Sequence, residues 1–353
     1  MKKQFFGLLI LELLVLLTAC NPKEKIPLVV FAAGSLIQPF SDLERAFEEK
    51  YPDIDVQMEF HGSIQVMRHV TDLHEEIDVV ATADQALIPM LMYEVNRPGT
   101  DKPYTDWFLS MATNRLAIAY TQESKYANEI TSDNWWEILS RQDVKVGLSD
   151  PRFDALGYRQ LMVFALAQDA YGNDDIFHTF INQQFSKEIR LVDMGDLQII
   201  RVPEILETTK DSHIMLRGSS IALISLLEAG EIDYAFEYES VIKQLGFEML
   251  SLPPTLNLGE EEFADAYGKV TVQMDFKRFK TVDPVFRGEQ IKYGLTIPSN
   301  APHPEEAALF IRFLYSQEGQ SIFMQNAHPL IYPPTGDQLQ NLPEELHDLL
   351  SLK

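Results

Sequence analysis

The sequence predicts an α/β fold of two domains. Short apolar runs rich in β-branched residues alternate with stretches of helical spacing along most of the chain. A strand followed at once by a Gly-Ser turn and a helix occurs twice in the first hundred residues. The length, 353 residues, exceeds what one core usually holds.

The first strand, 28–32, is a buried-type apolar run that leads straight into Ala33-Gly34-Ser35-Leu36. Gly34 permits a sharp turn, and Ser35 is a good helix N-cap. Leu36, Phe40, Leu43 and Phe47 carry helical spacing through 36–47. A helix N-terminus exposes unpaired N–H groups and a partial positive charge, so this turn is a ready anion site. The alternating segment 56–60 is the second strand. His61-Gly62-Ser63 ends it, and a helix follows over 64–73. A third strand and helix are expected over 77–81 and 85–93. Later strands are expected at 116–120, 144–148, 213–216, 232–238, 247–252, 270–276 and 291–297. Later helices are expected from Trp135, over 157–170, over 219–229 with Gly230 as the stop, and over 304–315. No repeat of fixed period interrupts this order.

Lys2 and Lys3 precede an apolar stretch over 5–17 that ends in Leu17-Thr18-Ala19-Cys20. This is the pattern of a secretory signal. Leu-Thr-Ala-Cys resembles a bacterial lipobox, which implies cleavage before Cys20 and lipid on its thiol and new amine. Residues 1–19 are then a signal peptide and 20–26 a polar tether. The apolar stretch is short of the ~20 residues a spanning helix needs. The expected location is outside the cytoplasm, lipid-anchored to the bacterial cell membrane. Cys20 is the only cysteine, so the folded part has no internal disulfide, Cys metal site or catalytic cysteine.

The formal net charge is −24, and loss of residues 1–19 makes it one unit more negative. Such a field repels nucleic acid. It gives no long-range help to an anionic ligand, so any anion site must consist of aimed local donors. No zinc-protease helix motif, nucleophile elbow, P-loop or dinucleotide fingerprint is present, and the eight histidines are scattered. His69 and His74 fit a solvated face, whereas His61, beside Ser63, is placed to line a cleft. Trp107, Trp135 and Trp136 fit core or surface better than a sugar platform. An enzyme is not expected.

Ala33-Gly34-Ser35-Leu36, His61-Gly62-Ser63, Asp106-Trp107-Phe108, Ala112-Thr113-Asn114, Asp154-Ala155-Leu156-Gly157-Tyr158-Arg159 and Asp233-Tyr234-Ala235-Phe236-Glu237-Tyr238-Glu239-Ser240 come in that order. Together they resemble the tungstate/molybdate-binding proteins of ABC importers, nearest the tungstate-type branch, over roughly residues 28 to 335. The resemblance implies a type II periplasmic-binding-protein fold of two α/β lobes with mixed sheets, whose hinge closes on the ligand. It places lobe one at 27–112 and 241–335, lobe two at 113–240, and a tail at 336–353. The hinge crossings then fall near 113–120 and 239–246. The implied partners are the oxyanion, a permease and its ATPase; the protein is expected to be a monomer with no cofactor.

By the same resemblance, Gly34, Ser35 and Ser63 contact the oxyanion from one lobe, and Asp154, Ala155 and Leu156 from the other. Ala155 stands where family members usually carry proline, which leaves the turn less rigid. An aspartate at position 154 can bond the tungsten or molybdenum atom directly. The second carboxylate of the archaeal branch is replaced here by Ser220, beside Ser219. Tyr238 matches the family's hydroxyl donor. Strand alternation puts Phe236 and Tyr238 on one face and Glu237 on the other. A fully deprotonated dianion accepts every hydrogen bond offered, whereas protonated phosphate must donate one. Each unpaired buried polar group costs about 1–3 kcal/mol, a large discrimination. Asp154 can accept such a proton, so sulfate, phosphate or another small solute stays open as the ligand, and a surface hydrolase is the enzyme alternative.

Overall fold

The computed structural model describes residues 24–275 and 284–351. Cys20 and the signal segment lie outside these residues, as does Phe276 of the strand expected over 270–276. The chain begins with β1 (Ile26–Ala33), α1 (Ile37–Lys50), β2 (Ile54–His61), α2 (Ser63–Thr71), β3 (Val79–Thr82), β4 (Phe108–Thr113) and β5 (Leu116–Tyr120). It continues through β6 (Val146–Ser149), α3 (Ala155–Tyr171), β7 (Arg190–Asp193), β8 (Gln198–Val202), β9 (Ile214–Arg217) and α4 (Ser220–Glu228). Then come β10 (Tyr234–Tyr238), α5 (Glu239–Leu245), β11 (Glu248–Ser251), β12 (Val270–Met274) and β13 (Val285–Arg287). Last are β14 (Lys292–Thr296), α6 (Pro304–Leu314), α7 (Gln317–Gln325) and β15 (Leu330–Asp337), with shorter helices, among them Trp135–Leu139 and Ile176–Phe180, and loops between elements.

Three sheets result. The first has the order β15-β4-β14-β3-β1-β2, the second β11-β5-β10-β6-β9, and the third β13-β12-β8-β7. β1 runs parallel to β2 and β3, whereas β14 is antiparallel to β3 and β4. Parallel neighbours need helical crossovers that cover the sheet, and α1 and α2 supply them. The apolar stripe of α1 turns Phe40 and Phe47 inward, where Phe310 of α6 meets them at ring separations of 6.1 and 5.2 Å. Gly230 takes a left-handed φ of 68° just past α4, so it stops that helix as expected.

The second body rests on α3. This helix is apolar around nearly its whole circumference, and its residues from Ala155 to Gln168 are all buried. It packs against β6 and β10 of the second sheet and against β8 and β12 of the third. Its first turn is therefore fixed from both sides.

The chain passes from the first sheet to the second at Asn114-Arg115 and returns between β13 and β14. The expected division put the second crossing at residue 240. β11, assigned by sequence to lobe one, pairs with β5 in the second sheet, and β12 pairs with β8 in the third. An isolated strand's sequence carries its buried face and not the identity of the neighbour it pairs with.

Candidate functional site

The ends of β1 and β2 and the starts of α3 and α4 meet where the two bodies face each other. Gly34 opens a 3₁₀ turn, Gly34–Leu36, and has no left-handed φ. A Cβ added to it would sit 3.6 Å from Ile221 of α4, in the opposite body. At Gly62 the approach is closer. A Cβ there would lie 2.5 Å from the Phe153 carbonyl oxygen and 3.2 Å from that of Gly218. The Ile64 N–H also donates to the Phe153 carbonyl across the gap, at 3.2 Å.

Ser35 is not the helix cap its sequence suggests. It lies inside the 3₁₀ turn, buried, and its hydroxyl shares a 2.8 Å hydrogen bond with the Tyr293 hydroxyl of β14. Asn114, at the first crossing, donates from Nδ2 to that same hydroxyl at 3.2 Å and to Ser240 Oγ at 2.8 Å. Ser63 is the first residue of α2 and fully buried, and its Oγ accepts the Ala83 N–H at 3.0 Å. A hydroxyl that accepts still has its own proton to give.

Asp154 is the N-cap of α3, with Oδ1 accepting the Leu156 N–H at 3.4 Å. Oδ2 accepts from Ser149 Oγ at 3.1 Å and from the Ser220 N–H at 2.9 Å. One carboxylate thus caps two helices, because Ser219, the N-cap position of α4, makes no side-chain cap of its own. Ala155 and Leu156 fill the first turn of α3 and are wholly buried. Burial pushes the Asp154 carboxyl above its ordinary range, against the pull of the Ser220 and Leu156 N–H groups, the Ser149 hydroxyl and Arg159.

β10 follows the expected alternation, and both its faces are buried. Tyr238 faces α3, where its hydroxyl accepts from Arg159 Nη1 at 2.9 Å. Its oxygen is held by that donor, so the phenolic proton is free to point elsewhere. Glu237 lies on the other face of β10, and the Ser220 side chain is among the groups that pull its carboxyl down against burial. It also accepts the Tyr238 N–H at 2.7 Å. Burial, with Asp154 nearby, pushes Glu237 up to about 8. β10 keeps an unbroken register with β5.

Arg159 is the residue sequence reasoning passed over. It is buried, and besides Tyr238 it reaches the Ala83 carbonyl at 2.7 Å and forms a 3.5 Å ion pair with Asp84. Its Nη2 makes no hydrogen bond among the described residues. The available signal was its place inside the Asp154–Arg159 motif, one turn past the cap. Tyr293 was missed because its strand carries no distinguishing neighbour. His61 turns from the cleft to Glu59 at 3.2 Å and stacks on His69 at 4.6 Å. Trp107 and Trp135 are core. Among the described residues no group of three or more His, Cys, Asp or Glu could hold a metal ion, and no helix could cross a membrane.

The assembled groups are hydroxyls, backbone N–H groups and two carboxyls that burial shifts upward, with one buried guanidinium behind them. Such a set donates hydrogen bonds to an anion and offers little to a cation.

A family model described as bacterial extracellular solute-binding protein matches residues 28–326. A molybdate/tungstate-binding protein, WtpA, of Thermococcus kodakarensis is 37% identical over 341 residues, 94% of this chain and 90% of that protein. A solute-binding protein of Petrotoga mobilis is also 37% identical, over 92% of this chain and 89% of its own. Among solved structures, the periplasmic molybdate-binding protein of Azotobacter vinelandii superposes with a TM-score of 0.53 at 13% identity, covering 86% of this chain and 99% of that one. The sulfate-binding protein SubI of Mycobacterium tuberculosis gives 0.54 at 15% identity, covering 92% and 91%. These two share the fold, which is that of type II periplasmic binding proteins.

Proposed function

The chain belongs to the bacterial extracellular solute-binding proteins, and from that premise we propose that it captures tungstate or molybdate between its two bodies and hands it to an ABC permease. What supports this reading is the approach of the Gly34-Ser35 and Gly62-Ser63 turns to the starts of α3 and α4, where Asp154 holds the Ser220 N–H, in a chain 37% identical to a molybdate/tungstate-binding protein over nearly its whole length.

The oxyanion lies between the 3₁₀ turn at Gly34-Ser35 and the start of α2 on one side, and the starts of α3 and α4 on the other. Ser35, Ser63 and Tyr238 donate hydroxyl protons. Helix N-termini add N–H groups and partial positive charge. Asp154 either bonds the metal atom of the oxyanion or stays a cap. Its three hydrogen bonds in the structure support the capping role. Ser220 supplies a hydroxyl where the tungstate-type branch has a carboxylate, which supports a shell closer to tetrahedral. Lipidation at Cys20 keeps the protein at the membrane, where the permease is. No chemistry on the solute is required: capture and release are the whole task.

Calorimetry with tungstate, molybdate, sulfate and phosphate tests the reading. Tight binding of the first two, with weak or absent phosphate binding, is expected. No heat and no thermal shift with either metal oxyanion would sink it, and heat with sulfate alone would point to a different oxyanion. Ser35→Ala removes one donor and is expected to weaken tungstate by about 1–3 kcal/mol. Unchanged affinity would assign the Ser35 hydroxyl to Tyr293 alone.

A further inference from the structure

Asn114, the last residue of the Ala112-Thr113-Asn114 motif, has no place among the proposed oxyanion donors. It is buried at the first crossing, and its amide has one orientation that satisfies its neighbours. Oδ1 accepts the Arg115 N–H at 3.0 Å and the Ser240 N–H at 3.4 Å. A reversed amide would set its amino group against both of those N–H groups. Nδ2 therefore faces Ser240 Oγ at 2.8 Å and the Tyr293 hydroxyl at 3.2 Å, and it can only donate.

This sets the direction of the next bond. The Tyr293 oxygen accepts from Asn114, and the phenolic proton has Ser35 Oγ, 2.8 Å away, as its acceptor. With Ser35 as the donor instead, the Tyr293 oxygen would take two protons, and its own buried proton would have no acceptor between these two partners. Tyr293 keeps that proton, because burial pushes its phenol well above the ordinary range. The ring is held in place by His328, edge to face at 4.5 Å, and by Tyr238 at 5.8 Å. The register between β14 and β4 also shifts here: Tyr293 lies opposite Ala112, and Gly294 lies opposite Ser110. Irregularities of this kind re-aim side chains, often beside functional sites.

We infer that Asn114 and Tyr293 form a one-way hydrogen-bond relay that keeps the Ser35 proton for the solute, so that both are positioning residues selecting an oxyanion with no proton of its own. The solute in this inference rests on the proposed function, whereas the direction of the relay is a property of the chain alone. A solute oxygen at Ser35 must accept, and a protonated one brings a second proton to the same place. Successive hydrogen bonds also polarise one another, which strengthens the last donor.

The test titrates tungstate, sulfate and phosphate by calorimetry at neutral pH into the full chain as wild type, Tyr293→Phe, Ser35→Ala and the double variant. Tyr293→Phe keeps the packed ring and removes the hydroxyl. It is expected to weaken tungstate about tenfold, and to lower the preference for tungstate over phosphate, because Ser35 can then turn a lone pair to a protonated solute. In the Ser35→Ala background the same change is expected to alter tungstate affinity less than about twofold, since the relay has lost its end. An equal loss in both backgrounds overturns the relay, and so does an unchanged preference over phosphate. Sulfate, equally free of protons, takes the place of tungstate in this comparison if wild type binds sulfate alone. Wild type that binds none of the three overturns the functional reading instead, and proton NMR of the wild-type chain then decides the relay. A slowly exchanging Tyr293 hydroxyl proton, identified through isotope-labelled tyrosine, is expected with a cross-peak to the Ser35 β protons. Absence of that cross-peak overturns the relay, whether or not Tyr293→Phe folds.

Discussion

Glu237 shows how one buried carboxyl writes itself into the stability of the protein. In the fold it holds its proton up to about pH 8, against an ordinary value of 4.5. Between those values the folded state binds more protons than the unfolded chain, so stability falls as pH rises through the window. Glu289, pushed to about 7 by burial and by Asp84, acts in the same sense. His328 acts oppositely. It is buried against Tyr293, and burial holds it down to about 3 from 6.5. Its contribution is therefore lost as pH falls below 6.5, where the unfolded chain takes up the proton. Above pH 6.5 only the carboxyls remain. The melting temperature is expected to drop between pH 6.5 and 8, by at most about 1.4 kcal/mol of stability per pH unit for each titrating carboxyl. Glu237→Gln should flatten that slope in thermal melts across the range; an unchanged slope would show that Glu237 is already ionised.

The start of α3 makes an element-scale prediction. Ala155 is the first helical residue, where a backbone N–H has no intrahelical partner and proline is at home. Asp154 before it already sits at φ −133° and ψ 142°, the region a following proline demands. Ala155→Pro is expected to stabilise the protein by about 0.4–1 kcal/mol, chiefly by restricting the unfolded chain. A lower melting temperature would mean that the ring does not fit the buried first turn. Elements of this kind were legible in the sequence. The strand expected at 116–120 coincides with β5, and the helix expected over 157–170 lies within α3. β4 was not read as a strand, because Phe108–Thr113 is buried on both faces and shows no alternation. The hairpin of β7 and β8 was missed because most of β7 is exposed and carries no apolar stripe. At the junction of the two bodies, Gly34, Ser35, Ser63 and Asp154 stand in turn or cap motifs that draw attention in the sequence. Asp84 and Tyr293 do not, since only tertiary packing sets their partners. The cap assigned to Ser35 was wrong for the same reason: a hydroxyl with a buried partner 258 residues away has no need of its own helix.

At the scale of the whole molecule, the net charge of −24 opposes the arrival of any anion. Salt screens that repulsion over distances beyond roughly 10 Å at 0.1 M, while the buried donors of the junction feel it little. Association of tungstate, followed by stopped-flow, is therefore expected to speed up as salt rises from low to physiological, with dissociation nearly unchanged. A rate that falls with salt would reveal a local positive field at the cleft mouth. The packing of α3 also bears on how such a protein can change over generations. Asp154, Tyr158 and Arg159 belong to a helix clamped between two sheets, where any exchange disturbs neighbours on every side. Ser220 begins α4, whose later turns keep Ser225 and Glu228 exposed to solvent. Position 220 itself is buried between the two carboxyls, with its N–H on Asp154. A lineage that alters it must therefore adjust Asp154 and Glu237 as well, so the starts of α3 and α4 are expected to change together while the exposed later turns of α4 drift freely.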